Sequence, residues 1–234
     1  MTQIILAIIS LAIAIILHEL AHGVVAYWMG DATARRAGRL TLNPVKHIDK
    51  TGSILLPGML AIGQLLTLGK VVFMYGWAKP VPVNPLDLRL GGYRNPRRLM
   101  AVVAIAGPAT NFLLALLGGL AMHLAFAMQS LLLASFSGYF IQINLVLGLF
   151  NLIPLPPMDG GRIAVGLLPL QLAIWLAKAE RIGIIAVLLV LFVLPLVLQQ
   201  AGIRFDPIGG TLGLVLPWAA HIILVLTGNI VGNN

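Results

Sequence analysis

Apolar runs long enough to cross a bilayer recur along this chain: Ile4–Tyr27, Leu99–Ala127, Phe140–Ile153, Ile182–Leu198 and Leu212–Thr227. A helical span needs about 20 mostly apolar residues. In hydrocarbon, backbone polar groups can be satisfied only within helices or closed barrels. The third run is short, but the weakly polar Ser130–Tyr139 stretch extends it. Only 9% of the 234 residues are charged, against about 25% in a soluble domain, so a soluble fold is excluded. The chain is expected to be an all-α multi-pass membrane protein lying in a lipid bilayer. No basic segment precedes Ile4–Leu17 and no small-residue cleavage site precedes His18-Glu19, so this run is read as part of the mature protein.

The formal net charge is +8. Its distribution argues for membrane topology rather than for nucleic acid. Arg35, Arg36, Arg39, Lys46 and Lys50 follow the first run, and Lys70, Lys79, Arg89, Arg94, Arg97 and Arg98 precede the Leu99 run. Arg162, Lys178 and Arg181 lie between the Phe140 and Ile182 runs, which leaves Arg204 in the remaining loops. By the positive-inside rule the first three groups are cytoplasmic, while Arg204 and the N-terminus face outward.

Basic loops then flank Ser53–Leu68 on both sides, and Pro57, Gly58, Gly63 and Gly69 interrupt it. It is expected to be a re-entrant segment, tolerated where protein or water covers its backbone. The count is five transmembrane helices with the C-terminus inside, or six if Ser53–Leu68 crosses. Arg39–Pro44 alternates polar and apolar residues before a breaker, which suits a short β element on the cytoplasmic side. Trp77–Pro85, with three close prolines, reads as an extended cytoplasmic segment. No repeat or soluble domain is visible. The chain is read as one integral-membrane domain, residues 1–234, with a core over about 1–165 and additional C-terminal helices over about 182–227.

The first run contains His18-Glu19-Leu20-Ala21-His22. On a helix, positions i and i+4 share a face, so both imidazoles can reach one metal with Glu19 beside them. The chain has no cysteine, so any metal must use His, Asp or Glu. Neutral imidazole suits zinc, and a catalytic zinc takes three protein ligands plus a water whose pKa falls to about 7. Glu19 would take that water's proton and pass it to the leaving amine. The bland alternative is an interfacial motif. Against it, the motif lies about two turns inside the end of the span, where a charged residue costs about 2.5–3.5 kcal/mol.

A third ligand must come from few acidic residues. Asp159 sits in Asn151-Leu-Ile-Pro-Leu-Pro-Pro-Met-Asp-Gly-Gly161, after a span expected to end on the same side as the first. The prolines stop the helix and the glycines allow a tight turn that would aim the carboxylate inward. Alone, Asp159 would be better read as a helix N-cap. Beside His18 and His22 it is the expected third ligand of one zinc ion per chain.

These segments resemble the site-2 protease family of intramembrane zinc metalloproteases. The likeness rests on His18-Glu-Leu-Ala-His-Gly23, Gly107-Pro-Ala-Thr-Asn111 and Asn151–Gly161, in the family's order and approximate spacing. Ala37–Pro44, His47-Ile-Asp49 and Gly76–Pro85 further resemble a bacterial and archaeal branch, here without the PDZ or CBS domains of many relatives. The resemblance implies His18, His22 and Asp159 as zinc ligands, Glu19 as catalytic acid and base, and Asn151 as steadying the substrate or oxyanion. It also implies a metalloendopeptidase acting on transmembrane protein or peptide substrates at the cytoplasmic membrane, with its active site near the cytoplasmic side. The unwound substrate would pair with the edge of the re-entrant segment and nearby strand.

Other polar residues have plainer readings. Asn111 could line the site or pack between helices beside Gly107 and Ala109, and packing is the expected role. His47 and Asp49 belong to a loop or a supporting role. His123 and His221 read as hydrogen-bonded interior groups, Glu180–Arg181 as an interfacial pair, and Trp28, Trp77, Trp175 and Trp218 as interface anchors. Two rivals to proteolysis are a metal transporter and a non-catalytic membrane binding protein. A transporter would need ligands on several spans, and a binding protein has no chemical need for Glu19.

Overall fold

The computed structural model describes residues 1–71, 76–178 and 207–229, with isolated positions between 189 and 202. Helix α1 covers Thr2–Trp28, α2 Thr33–Arg36, α3 Leu56–Leu68, α4 Pro96–Ala127, α5 Leu131–Asn151, α6 Asp159–Leu167 and α7 Pro207–Leu226. A 3-10 turn at Pro44–His47 and a π-helical turn at Lys50–Leu55 lead into α3, and residues 170–178 are helical. Helices α1, α4 and α5 are long and apolar enough to cross a membrane; the apolar stretch of α7, Leu212–Leu226, is shorter. The 27 residues of α1 make it about 40 Å long, which exceeds a hydrocarbon core of about 30 Å. The Ile182–Leu198 run falls outside the described residues.

Local chemistry sets the ends. The Asn95 side chain accepts from Arg98 N and Pro96 occupies the first turn of α4; the Ser130 hydroxyl accepts from Leu133 N at the start of α5. Both are standard N-terminal devices. Gly69 ends α3 in the left-handed region at φ 68°, which suits glycine.

Helix α4 is the hub and contacts α1, α5, α6 and α7. Ala26 and Met29 of α1 pack with Leu99 and Val103 of α4 and with Leu88. Ala115 of α4 packs with Ile141 and Leu145 of α5 and with Ala219 and Ile223 of α7. Small residues permit these approaches, since a Cβ at Gly118 would lie 2.9 Å from the Ile141 side chain.

The direction of α7 departs from the charge-based count. Asn229 Nδ2 donates to Gly119 O at 2.7 Å, and the His123 ring is hydrogen-bonded to Thr227 O. Leu216 and Ile223 belong to the cluster that Phe112, Ala115 and Met122 line along α4. Helix α7 therefore runs parallel to α4. It ends where α1 begins, and the described C-terminal residues lie at the end of the bundle opposite the basic loops. The charge-based count assumed a full crossing between Arg181 and Arg204. The structure starts α7, three residues after Arg204, at the basic end.

Two local expectations also change. Among the described residues no strand forms, and Arg39–Asn43 is irregular, with bends at Leu40 and Thr41, up to the 3-10 turn at Pro44. Its neighbour, the extended segment 76–85, takes only scattered bonds from this region, and the Arg39 side chain rather than a backbone ladder ties the two. Ser53–Leu68 is not broken at Pro57, Gly58 or Gly63: Pro57 sits in the first turn of α3, where a missing N–H costs nothing, and the helix continues to Leu68.

Candidate metal centre

His18 and His22 lie one turn apart on α1, and their Nε2 atoms stand 3.1 Å from each other. Asp159 Oδ2 lies 3.0 Å from His18 Nε2 and 3.2 Å from His22 Nε2. All three residues are buried, at 5%, 8% and 6% exposure. Asp159 reaches them because the loop after α5 turns back and α6 begins at Asp159 itself. The glycine pair acts there by close approach. A Cβ at Gly160 would collide with the carbonyls of Leu152 and Ile153, and one at Gly161 with Pro156 N. Met158 is the N-cap of α6, so Asp159 does not spend its carboxylate on the cap.

The hydrogen bonds decide what this cluster can hold. His22 Nδ1 donates to Val103 O at 2.8 Å; a carbonyl can only accept, so the proton is on Nδ1 and Nε2 is bare. His18 Nδ1 lies 2.6 Å from Asn111 Oδ1, the same arrangement. Among the described residues, Asp159 Oδ2 has no hydrogen-bond partner. Three acceptor atoms thus converge with no donor between them, all within 4.8 Å of one another. Buried acceptors repel unless a cation lies among them. Two imidazoles and one carboxylate form a donor set that suits a zinc ion with an open fourth position.

Gly107 completes the cradle. A Cβ there would lie 2.5 Å from His22 Nε2 and 2.6 Å from His18 Nε2. One turn on, Asn111 is fully buried and bonded to His18, so it lines the site as well as packing between helices. Its position four residues after Gly107 was the available signal: on α4 both fall on the face toward His18 and His22.

Glu19 stands outside the three-donor group. It is half-buried, and its Oε2 accepts the Val81 N–H at 2.9 Å. Val81 belongs to the extended segment, which is pinned residue by residue. Trp77 N donates to Gly52 O, Lys79 N to His47 O, Asn84 N to Asp31 Oδ2 and Arg89 N to Met29 O. Arg39 donates to Lys79 O at 2.6 Å. Gly23, next after His22, admits this segment, since a Cβ there would lie 2.8 Å from Val81 Cγ1.

Asn151, the last residue of α5, is not turned to the cluster: its Nδ2 donates to Leu147 O of its own helix at 3.0 Å. His47 is buried against Thr41 O, and Asp49 caps the π-helical turn, so both serve the loop. His123 is held by Thr227 O, whereas His221 lies on the exposed side of α7. Trp28, Trp175 and Trp218 are exposed as anchors would be; Trp77 instead closes on Gly52. Glu180–Arg181 lies outside the described residues.

Comparison with known proteins finds relatives of the chain. The family described as peptidase family M50 matches residues 118–194, a stretch that contains Asn151 and Asp159. "Putative zinc metalloprotease YwhC" of Bacillus subtilis (strain 168) is 43% identical over 196 residues, 81% of this chain and 80% of that one. "Putative zinc metalloprotease Rip3" of Mycobacterium tuberculosis (strain ATCC 25618 / H37Rv) is 34% identical over 140 residues, 57% of this chain and 32% of its own length. "Putative zinc metalloprotease Rip2" of the same strain is 27% identical over 184 residues, 78% of this chain and 64% of its own. No solved structure matches the chain.

Proposed function

Because the chain belongs to peptidase family M50, the site-2 protease family, we propose that it is an intramembrane zinc metalloendopeptidase of the cytoplasmic membrane. The observation that carries this reading is the convergence of three buried acceptor atoms from His18, His22 and Asp159, with Glu19 alongside but outside the group. Zinc held there would supply Lewis acidity and an activated water at neutral pH.

The chain's own residues would do the rest. Glu19 takes the proton of the attacking water and returns it to the leaving amine. The Val81 N–H holds one carboxylate oxygen and leaves the other free for that exchange. Asn151 would donate to the developing oxyanion once its amide leaves Leu147 O. The substrate is a transmembrane protein or peptide, cleaved in or near its span at a site close to the cytoplasmic face.

The test measures zinc per purified chain and cleavage of a reconstituted transmembrane substrate. Wild type and Glu19→Gln should each hold about one zinc, with Glu19→Gln losing cleavage by roughly a hundredfold or more. His18→Ala and Asp159→Ala should lose the metal. If Glu19→Gln also releases zinc, Glu19 is a ligand and the transporter reading gains. A wild type that binds no zinc removes the mechanism.

A further inference from the structure

A metal ligand must present a bare nitrogen, and for His18 nothing in its first contact guarantees this. Its Nδ1 faces the side-chain amide of Asn111, which can offer either an oxygen or an NH2 group. If the amide turned over, its NH2 would push the His18 proton to Nε2, the atom that faces Asp159 and His22. The Asp159 carboxylate 3.0 Å away would favour that same shift, since it would accept an Nε2–H. Something further out must hold the amide.

That something is Asn144 on α5, fully buried and absent from the motifs read in the sequence. Asn144 Nδ2 lies 2.8 Å from Phe140 O, and a backbone carbonyl can only accept. The NH2 of Asn144 must therefore face Phe140, and its Oδ1 must face Asn111. Asn111 Nδ2 donates to that oxygen at 2.9 Å, so Asn111 Oδ1 is left for His18 Nδ1. A second acceptor, Ala14 O, is at 3.5 Å, the limit of a hydrogen bond. The direction of the chain is thus set at Phe140 and transmitted through two amides to one imidazole.

We infer that Asn144 is a positioning residue for the metal site, fixing through Asn111 the tautomer in which His18 Nε2 can take zinc. The inference rests on the zinc reading above. It extends that reading from the ligands to a relay that crosses from α5 through α4 to α1. Outer partners of ligating histidines typically change metal affinity by about 10–100-fold when removed. Asn144 acts one step beyond such a partner.

The test is a double-mutant cycle on the full chain in detergent, reading zinc affinity by competition with a chelator. Asn144→Leu keeps the volume and removes both polar groups; it should weaken zinc by about tenfold. Asn111→Asp offers two equivalent oxygens, so orientation no longer matters there. In that background, Asn144→Leu should cost less than about threefold, which amounts to a rescue. A residue that merely packs would cost the same in both backgrounds, and equal losses would overturn the relay. If Asn144→Leu alone cannot be purified folded, Asn111→Asp and the double variant still decide: a double variant much weaker than Asn111→Asp sinks the inference. Failure of the zinc reading itself would look different, because wild type and His18→Ala would then bind zinc equally poorly.

Discussion

The tightest constraint on the site is set by a residue with no side chain. Gly107 faces both His18 Nε2 and His22 Nε2 at distances where a methyl group would overlap them. Neither ring can retreat, because each Nδ1 is held by α4, through Asn111 and Val103. Gly107→Ala should therefore displace the ligands rather than be absorbed, at a cost of the order of 1–3 kcal/mol for overpacking. Zinc affinity should fall about tenfold or more by chelator competition, the same energy expressed at the metal. Gly58→Ala, where a Cβ would meet nothing within 4 Å, should leave it unchanged. A Gly107→Ala variant with wild-type zinc affinity would show that the rings can move. At this scale the cluster of His18, His22 and Asp159 was legible from sequence, because each is a metal-binding residue type in a recognisable frame. Gly107 and Asn111 were visible too, but read as packing residues, since sequence spacing shows which face they share and not what lies opposite. Asn144 carried no signal at all: its role exists only through a contact between α4 and α5.

At the scale of elements, the extended segment 76–85 is the part that sequence described best in form and least in purpose. Its closely spaced prolines ruled out a helix, and none forms there. The inward N–H groups of Trp77, Lys79 and Val81 are all used, by Gly52 O, His47 O and Glu19 Oε2. Pro80 and Pro82 alternate with them and have no N–H to offer outward. The segment is therefore a poor edge for an incoming strand. Its use is to bring a donor to Glu19. Val81→Pro would remove that donor while keeping the extended backbone. A hydrogen bond to a charged group contributes about 1.5–3 kcal/mol, so cleavage should fall by roughly tenfold or more. Zinc content should stay at the wild-type level, because Val81 touches no ligand. Loss of zinc together with activity would mean that the segment supports the whole site instead.

For the molecule as a whole, the direction of α7 bears most on the topology. Sequence located the apolar runs well: Ile4–Tyr27 is matched by Thr2–Trp28, Leu99–Ala127 by Pro96–Ala127, and the extended Phe140 run by Leu131–Asn151. Direction was harder, because one loop arginine decided the side of the last run. Packing decides it differently: Thr227 and Asn229 meet Gly119 and His123, near the end of α4 that lies beside the start of α1. Reversing α7 would break the Asn229–Gly119 and His123–Thr227 bonds and bury their polar groups unpaired in an apolar bundle, which costs several kcal/mol in lipid. The chain contains no cysteine, so single substitutions can report sidedness cleanly. Thr2→Cys and Leu226→Cys should react with a membrane-impermeant maleimide from the same face of intact cells, while Leu86→Cys should react only after permeabilisation. Leu226 is 69% exposed and Leu86 78% exposed, so neither label is blocked by packing. If Leu226→Cys instead follows Leu86→Cys, α7 enters from the other face and the five-span arrangement holds. If it follows Thr2→Cys, all 15 Lys and Arg residues fall before the start of α7 and can share one face, as the positive-inside rule favours.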